Sequence, residues 1–165
     1  MANNDVRNLC ESTQAKLKEA AGMLETFLNN YALPQLVTEE ADSEVFYKGC
    51  LSDLRQLLVF SEVNYEKLGA LLRRPNFPVE PSEKALYETY HQTVNAYFYP
   101  KNECYSEDGR YAYTGQDAIR FRKKPAREVR DTVLALSKIF EELREDLSYY
   151  ESDYITQRRI QGERV

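Results

Sequence analysis

The sequence holds one histidine, three cysteines and no tryptophan among 165 residues, and the first two scarcities bear on function. A single histidine, His91, cannot complete a paired di-iron site, which needs two Glu-x-x-His pairs plus two further glutamates. No metal and no cofactor are therefore expected. Cys10, Cys50 and Cys104 are odd in number and distant in sequence, which is neither a disulfide framework nor a zinc-ligand spacing. Cys10 and Cys50 fall at apolar helical positions, where a thiol behaves as a small hydrophobe, so a reducing cytoplasm is the expected compartment. Apolar runs such as Leu57-Leu58-Val59-Phe60 do not exceed four residues, far short of the roughly 20 that span a bilayer, and residues 1–10 lack the apolar core of a signal peptide. The six glycines are scattered. No glycine-rich strand-to-helix loop or Walker-type lysine exists to cradle phosphates, which disfavours phosphoryl transfer and dinucleotide binding. A net charge of −5 does not attract nucleic acid or anionic lipid to the chain as a whole.

What is present is helical rhythm. Val6, Cys10, Thr13, Leu17, Ala20, Leu24, Phe27 and Tyr31 alternate in steps of four and three, and so do Val129, Val133, Leu136, Phe140, Leu143, Leu147, Tyr150 and Tyr154. That 3.5-residue repeat is what helices packed nearly parallel or antiparallel present to one another. Extra apolar neighbours such as Leu9 and Leu134 widen each stripe toward a bundle core. A third helix is predicted over about 38–74, with Tyr47, Cys50, Leu54, Leu57, Leu68 and Leu72 on one face, although Gly49 and Gly69 each cost about 1 kcal/mol in a helix interior. A fourth is predicted over about 82–98, with Leu86, Tyr90, Val94 and Tyr97 inward. Pro34, Pro75 and Pro100 stop helices, and Pro81 and Pro125 suit first turns.

Between residues 103 and 124 the period vanishes. Arg110-Tyr111-Ala112-Tyr113 and Ala118-Ile119-Arg120-Phe121-Arg122 flank Thr114-Gly115-Gln116-Asp117, and alternation around a glycine-containing turn predicts a β-hairpin. An isolated hairpin is marginal in water, so it should lie against the helices through its aromatic face. The expected fold is mainly α: one domain over residues 1–165, a four-helix bundle with the hairpin inserted between the third and fourth helices in chain order.

Leu51-Ser52-Asp53-Leu54-Arg55-Gln56-Leu57-Leu58-Val59-Phe60, Tyr113-Thr114-Gly115 and Tyr149-Tyr150-Glu151-Ser152-Asp153-Tyr154 resemble segments of the uncharacterised YpuI-like proteins of Bacillus-type bacteria. The resemblance covers nearly the whole chain and implies a small cytosolic bacterial protein. It brings no assigned activity and no functional residues.

Three constellations could carry function. Arg120, Arg122, Lys123, Lys124, Arg127 and Arg130 are opposed within residues 120–130 only by Glu128, leaving about −10 on the rest of the chain. Tyr105, Tyr111 and Tyr113 offer aromatic faces nearby. These cations and tyrosines are the candidate ligand-binding residues. The bland reading of the same cations is a solvated hairpin edge protected from aggregation. Glu88 and His91 share a helical face and Cys104 follows closely, the ingredients of a metal or thiol enzyme; an ordinary loop thiol and a structural histidine are the plainer account. The 13 tyrosines suit either core margins or interfaces. An irregular, charged, aromatic insertion on a regular scaffold points first to a non-enzymatic interaction or regulatory protein with a protein partner. An anion or nucleic-acid binder using residues 120–130 is the alternative, and the enzyme comes third. Nucleic acid and membrane are the disfavoured partners. The oligomeric state is not written in the sequence.

Overall fold

A computed structural model describes residues 3–110 and 118–162. Helix α1 spans Asn3–Asn30, one turn of helix α2 spans Leu33–Leu36, and α3 spans Ser43–Leu72. Helix α4 (Val79–Thr89) runs directly into a π-helical turn (Tyr90–Val94) and then α5 (Asn95–Phe98). Strands β1 (Tyr105–Glu107) and β2 (Ile119–Phe121) precede α6 (Arg127–Asp146), a 3-10 turn (Ser148–Tyr150) and α7 (Asp153–Ile160). The class is mainly α, with a small hairpin before α6. Among the described residues no helix is long and apolar enough to cross a membrane.

The apolar stripes are what the helices bury. Every position named on the α1 stripe from Val6 to Phe27 is buried, Thr13 included, and Tyr31 is half-buried. All eight positions from Val129 to Tyr154 are buried. Each fully buried aliphatic side chain stabilises the fold by roughly 1.5–3 kcal/mol relative to an exposed one, so these stripes dominate the energetics. Helix α1 packs against α3, α4 and α6, and α3 also packs against α4. Tyr97 ties three elements together. Its ring stacks on Phe140 of α6 at 4.7 Å, its hydroxyl donates to the Val133 carbonyl at 2.8 Å, and its own carbonyl accepts the Tyr105 hydroxyl of β1.

The structure corrects the sequence reading in several places. The long middle helix starts at Ser43, not near residue 38, because Asp42 takes a left-handed φ of 66° that no α-helix tolerates. The link before it is held by Ser43, whose hydroxyl oxygen accepts from the Thr38 amide at 2.9 Å. The last helix breaks at Leu147, whose φ and ψ are −100° and 14°. Its buried rhythm nevertheless continues through the 3-10 turn, since Leu147, Tyr150 and Tyr154 all face the core.

The described partner of the second strand lies upstream of the predicted Arg110–Tyr113 segment. Strand β2 pairs antiparallel with Tyr105–Glu107, Tyr105 opposite Phe121 and Glu107 opposite Ile119. Amide bonds Asp108→Ala118 (2.7 Å) and Arg122→Cys104 (2.8 Å) extend the ladder at each end. Arg110 lies in a turn; the Tyr111 and Tyr113 positions and the turn 114–117 lie outside the described residues. Tyr105, Ile119 and Phe121 supply the face laid on the helices, the first two buried and the third half-buried.

Gly49 has a reason to interrupt α3. A Cβ there would sit 3.0 Å from the Asn102 Cβ and 3.4 Å from the Cys104 sulfur. The segment leading into β1 therefore crosses the helix where the helix has no side chain.

Candidate functional site

The candidate site grows from the end of the α4–α5 rod. A π-turn adds one residue to a helical turn and breaks the regular bonding of the carbonyls before it. Here polar side chains cluster around the turn. The Thr93 hydroxyl donates to the Thr89 carbonyl at 2.7 Å. The Asn64 amide of α3 donates to the Phe60 carbonyl at 2.8 Å and to Gln92 Oε1 at 2.9 Å, while its oxygen lies 3.1 Å from the Thr89 hydroxyl. This buried polar knot fixes the rod against α3 and so fixes where the chain emerges at Phe98.

Beyond Phe98 the chain docks on α3. The Asn102 backbone and side-chain amides both donate to the Asp53 carboxylate, at 3.1 and 2.8 Å, and Cys104 Sγ donates to the Phe46 carbonyl at 3.5 Å. Tyr99 is left standing out, 74% exposed. It borders three depressions. On the hairpin side a groove of about 600 Å³ is walled by Phe98, Tyr99, Tyr105 and Phe121, with Lys101, Arg120 and Arg122 bringing three cations against one carboxylate, Glu103. A second hollow of about 440 Å³ has the opposite bias: Glu107, Glu145 and Glu151 surround Arg144. The third, about 530 Å³, is lined by polar groups including Asp53, Gln56, His91 and Asn95.

The predicted basic cluster is thus divided. Arg120 and Arg122 share the groove, with the Arg122 guanidinium also 5.8 Å from the Phe46 ring centre. Lys123 instead donates to the Ala41 carbonyl at 2.9 Å. Arg127 and Arg130 both reach Asp131, at 3.5 and 3.9 Å. Lys124 is exposed. Tyr105 is buried, its hydroxyl given to Tyr97, so it offers no open stacking face. Tyr99 and Lys101, which complete the groove, escape the sequence reading. The only hint is Pro100, which stops the rod and projects its neighbours.

Glu88, His91 and Cys104 keep separate company. Glu88 takes the Lys67 ammonium of α3 at 2.5 Å. His91 Nδ1 meets the Asn95 amide at 2.9 Å, and its ring lies 4.5 Å from that of Tyr87. Cys104 is buried against Cys50. The Cys50 thiol hydrogen-bonds to the Cys104 sulfur, which lowers the Cys104 pKa against the opposing effect of burial, with Arg122 assisting. The same bond, then burial, pushes Cys50 far up. Both thiols are buried, whereas reactive cysteines sit in partly exposed surroundings. Among the described residues no three His, Cys, Asp or Glu side chains converge as a metal site would require.

One contact holds the hairpin's outer edge. Arg144 of α6 pairs with Glu107 of β1 at 2.9 Å, with side chains 18% and 14% exposed, and its guanidinium lies 3.9 Å from the Phe98 ring centre. Glu107 Oε2 is buried without a partner, so the arginine is what compensates this carboxylate. Arg144→Ala is expected to cost about 2–3 kcal/mol, below the full penalty for breaking a wholly buried pair because water still reaches both groups. Chemical denaturation checks this, and Arg144→Met with Glu107→Leu should recover most of the loss. A single-variant cost below about 0.5 kcal/mol would show that the pair is solvated.

Comparison with known proteins adds kinship without an activity. The family described as "Protein of unknown function (DUF3907)" matches residues 10–156. The chain is similar to "Uncharacterized protein YpuI" of Bacillus subtilis (strain 168), 32% identical over 152 residues, covering 92% of this chain and 85% of that protein. No solved structure matches.

Proposed function

Since the chain belongs to this family of unknown function, we propose a role from its surface: a non-enzymatic interaction protein whose hairpin groove docks an acidic, aromatic-bearing segment of a partner protein. The observation that carries this reading is the meeting of Lys101, Arg120 and Arg122 around the rings of exposed Tyr99 and half-buried Phe121. Cations at the rim of an aromatic groove suit carboxylates flanking an apolar anchor, since the anchor gains from burial while the charges set orientation. A long polyanion fits less well. Across Tyr99 it would meet Glu107, Glu145 and Glu151, and Lys123, Arg127 and Arg130 are engaged elsewhere.

The test uses a fluorescent peptide of glutamates around one phenylalanine, with single-stranded DNA as the competing probe. Micromolar peptide binding is expected, weakened about tenfold or more by Lys101→Gln with Arg120→Gln, a loss of about 1.4 kcal/mol or more, and weakened further by salt. Tighter binding of the DNA would transfer the groove to the nucleic-acid reading. Binding of neither probe at low salt would remove the groove as a site.

A further inference from the structure

The outer face of α3 points to a second protein surface, independent of the hairpin groove. Val59 and Val63 are 56% and 48% exposed in the middle of this helix, and half-buried Phe60 lies beside them. Around them the charges divide by position. Lys48 and Arg55 lie toward the N-terminal end, Glu62 and Glu66 toward the C-terminal end, and all four are exposed. None of the four has an ion pair among the described residues. Glu62 and Glu66 even stand one helical turn apart, where like charges repel.

We propose that this face binds a second copy of the same chain, with the two α3 helices antiparallel about a two-fold axis beside Val59. A two-fold interface must be self-complementary, and the order of residues along α3 meets that demand. Antiparallel pairing sets Val59 on its symmetry mate and Arg55 beside Glu62 of the other copy. It sets Lys48 near Glu66 of the other copy, and Glu44 near its Arg73-Arg74 end. A parallel pair would place Arg55 on Arg55 and Glu62 on Glu62, like on like throughout. The helix is about 45 Å long at 1.5 Å per residue, enough for a continuous seam. With few apolar side chains in that seam, charge carries much of the association. A micromolar, salt-sensitive dimer follows.

Sedimentation of the full chain at low salt, from about 1 to 500 μM around that expected range, is the test. A concentration-dependent dimer is expected. Arg55→Glu alone and Glu62→Arg alone should each shift the midpoint upward by tenfold or more, because each makes both cross-contacts repulsive. An equimolar mixture of the two variants should dimerise again. Only in a mixed pair does the carboxylate introduced by Arg55→Glu face the guanidinium introduced by Glu62→Arg. All these positions are exposed, so melting curves taken well below the dimerisation midpoint, where association adds no stability, should coincide with wild type and separate association from folding. Val59→Cys should cross-link between copies under a mild oxidant. Val45→Cys, about 40 Å from its symmetry mate by helical rise, should not. A wild-type chain that stays monomeric throughout, or a dimer indifferent to both charge reversals, would overturn the proposal.

Discussion

Phe140→Ala is expected to destabilise the protein by about 3–5 kcal/mol, the range for truncating a buried aromatic ring. Phe140 is wholly buried on α6, and its ring stacks on Tyr97 at 4.7 Å with planes 12° apart. The damage should spread through Tyr97, which also bonds the Val133 carbonyl and accepts from Tyr105. Removing the Phe140 ring leaves a void against a residue that joins the rod, α6 and the hairpin. For a chain of this size each 1 kcal/mol lowers the melting temperature by about 2–4 °C, so a fall of roughly 10 °C is the result to look for. Phe140→Leu, which keeps most of the volume, should cost less than half as much. A loss under about 1 kcal/mol would mean that this stripe does not sit in the core.

That stripe was legible because burial on a helix obeys a fixed period, and a period survives in the residue order. The same order hid the break at Leu147, since Leu147, Tyr150 and Tyr154 keep facing inward through a 3-10 turn with no proline or glycine to announce it. It hid the π-turn too, because Tyr90, Val94 and Tyr97 keep helical spacing. The groove was half legible. Alternation in Ile119-Arg120-Phe121-Arg122 identified the second strand and the sides of its residues, whereas Tyr105-Ser106-Glu107 is too short a run to advertise itself beside the more obvious Tyr111 and Tyr113. Register belongs to pairing rather than to either strand alone. The fate of the cations was not legible at all. Nothing local to Lys123 says that it will reach the Ala41 carbonyl, and nothing local to Lys101 says that it will meet Arg120 across a groove. Charge clusters read along a chain become sites only after folding has decided which members are already occupied.

Alkali should unfold this protein earlier than its helical content alone would suggest. Burial first, then the charges of Glu11 and Glu83, push the Cys10 thiol up to about 12. Burial and then Tyr97 raise the Tyr105 hydroxyl well above its usual value. Tyr150 is raised by burial and by Glu83, whose carboxylate accepts its hydroxyl at 3.1 Å. In the unfolded chain these groups lose their protons near about 8.5 for a thiol and about 10 for a tyrosine. Above those values the unfolded state binds fewer protons than the folded one, so stability must fall as pH rises. Below about 8.5 the contribution is fully present. Melting temperature is therefore expected to fall progressively from about pH 9 to about pH 12, the window set by the thiol and tyrosine reference values and by Cys10 itself. Absorbance titration should show the buried tyrosines ionising together with loss of helix rather than before it. Tyr105→Phe removes one of the responsible groups and also the hydrogen bond to Tyr97, so it should lower stability at about pH 7 yet make the alkaline slope shallower. Cys10→Ala should make the first part of the fall shallower, between about pH 9 and 10, without abolishing it, because the raised Cys50 thiol still separates the two states there. A melting temperature that holds steady to about pH 11, or slopes that these substitutions leave unchanged, would mean that the buried thiol and hydroxyls ionise without strain and that the core around them is open to water.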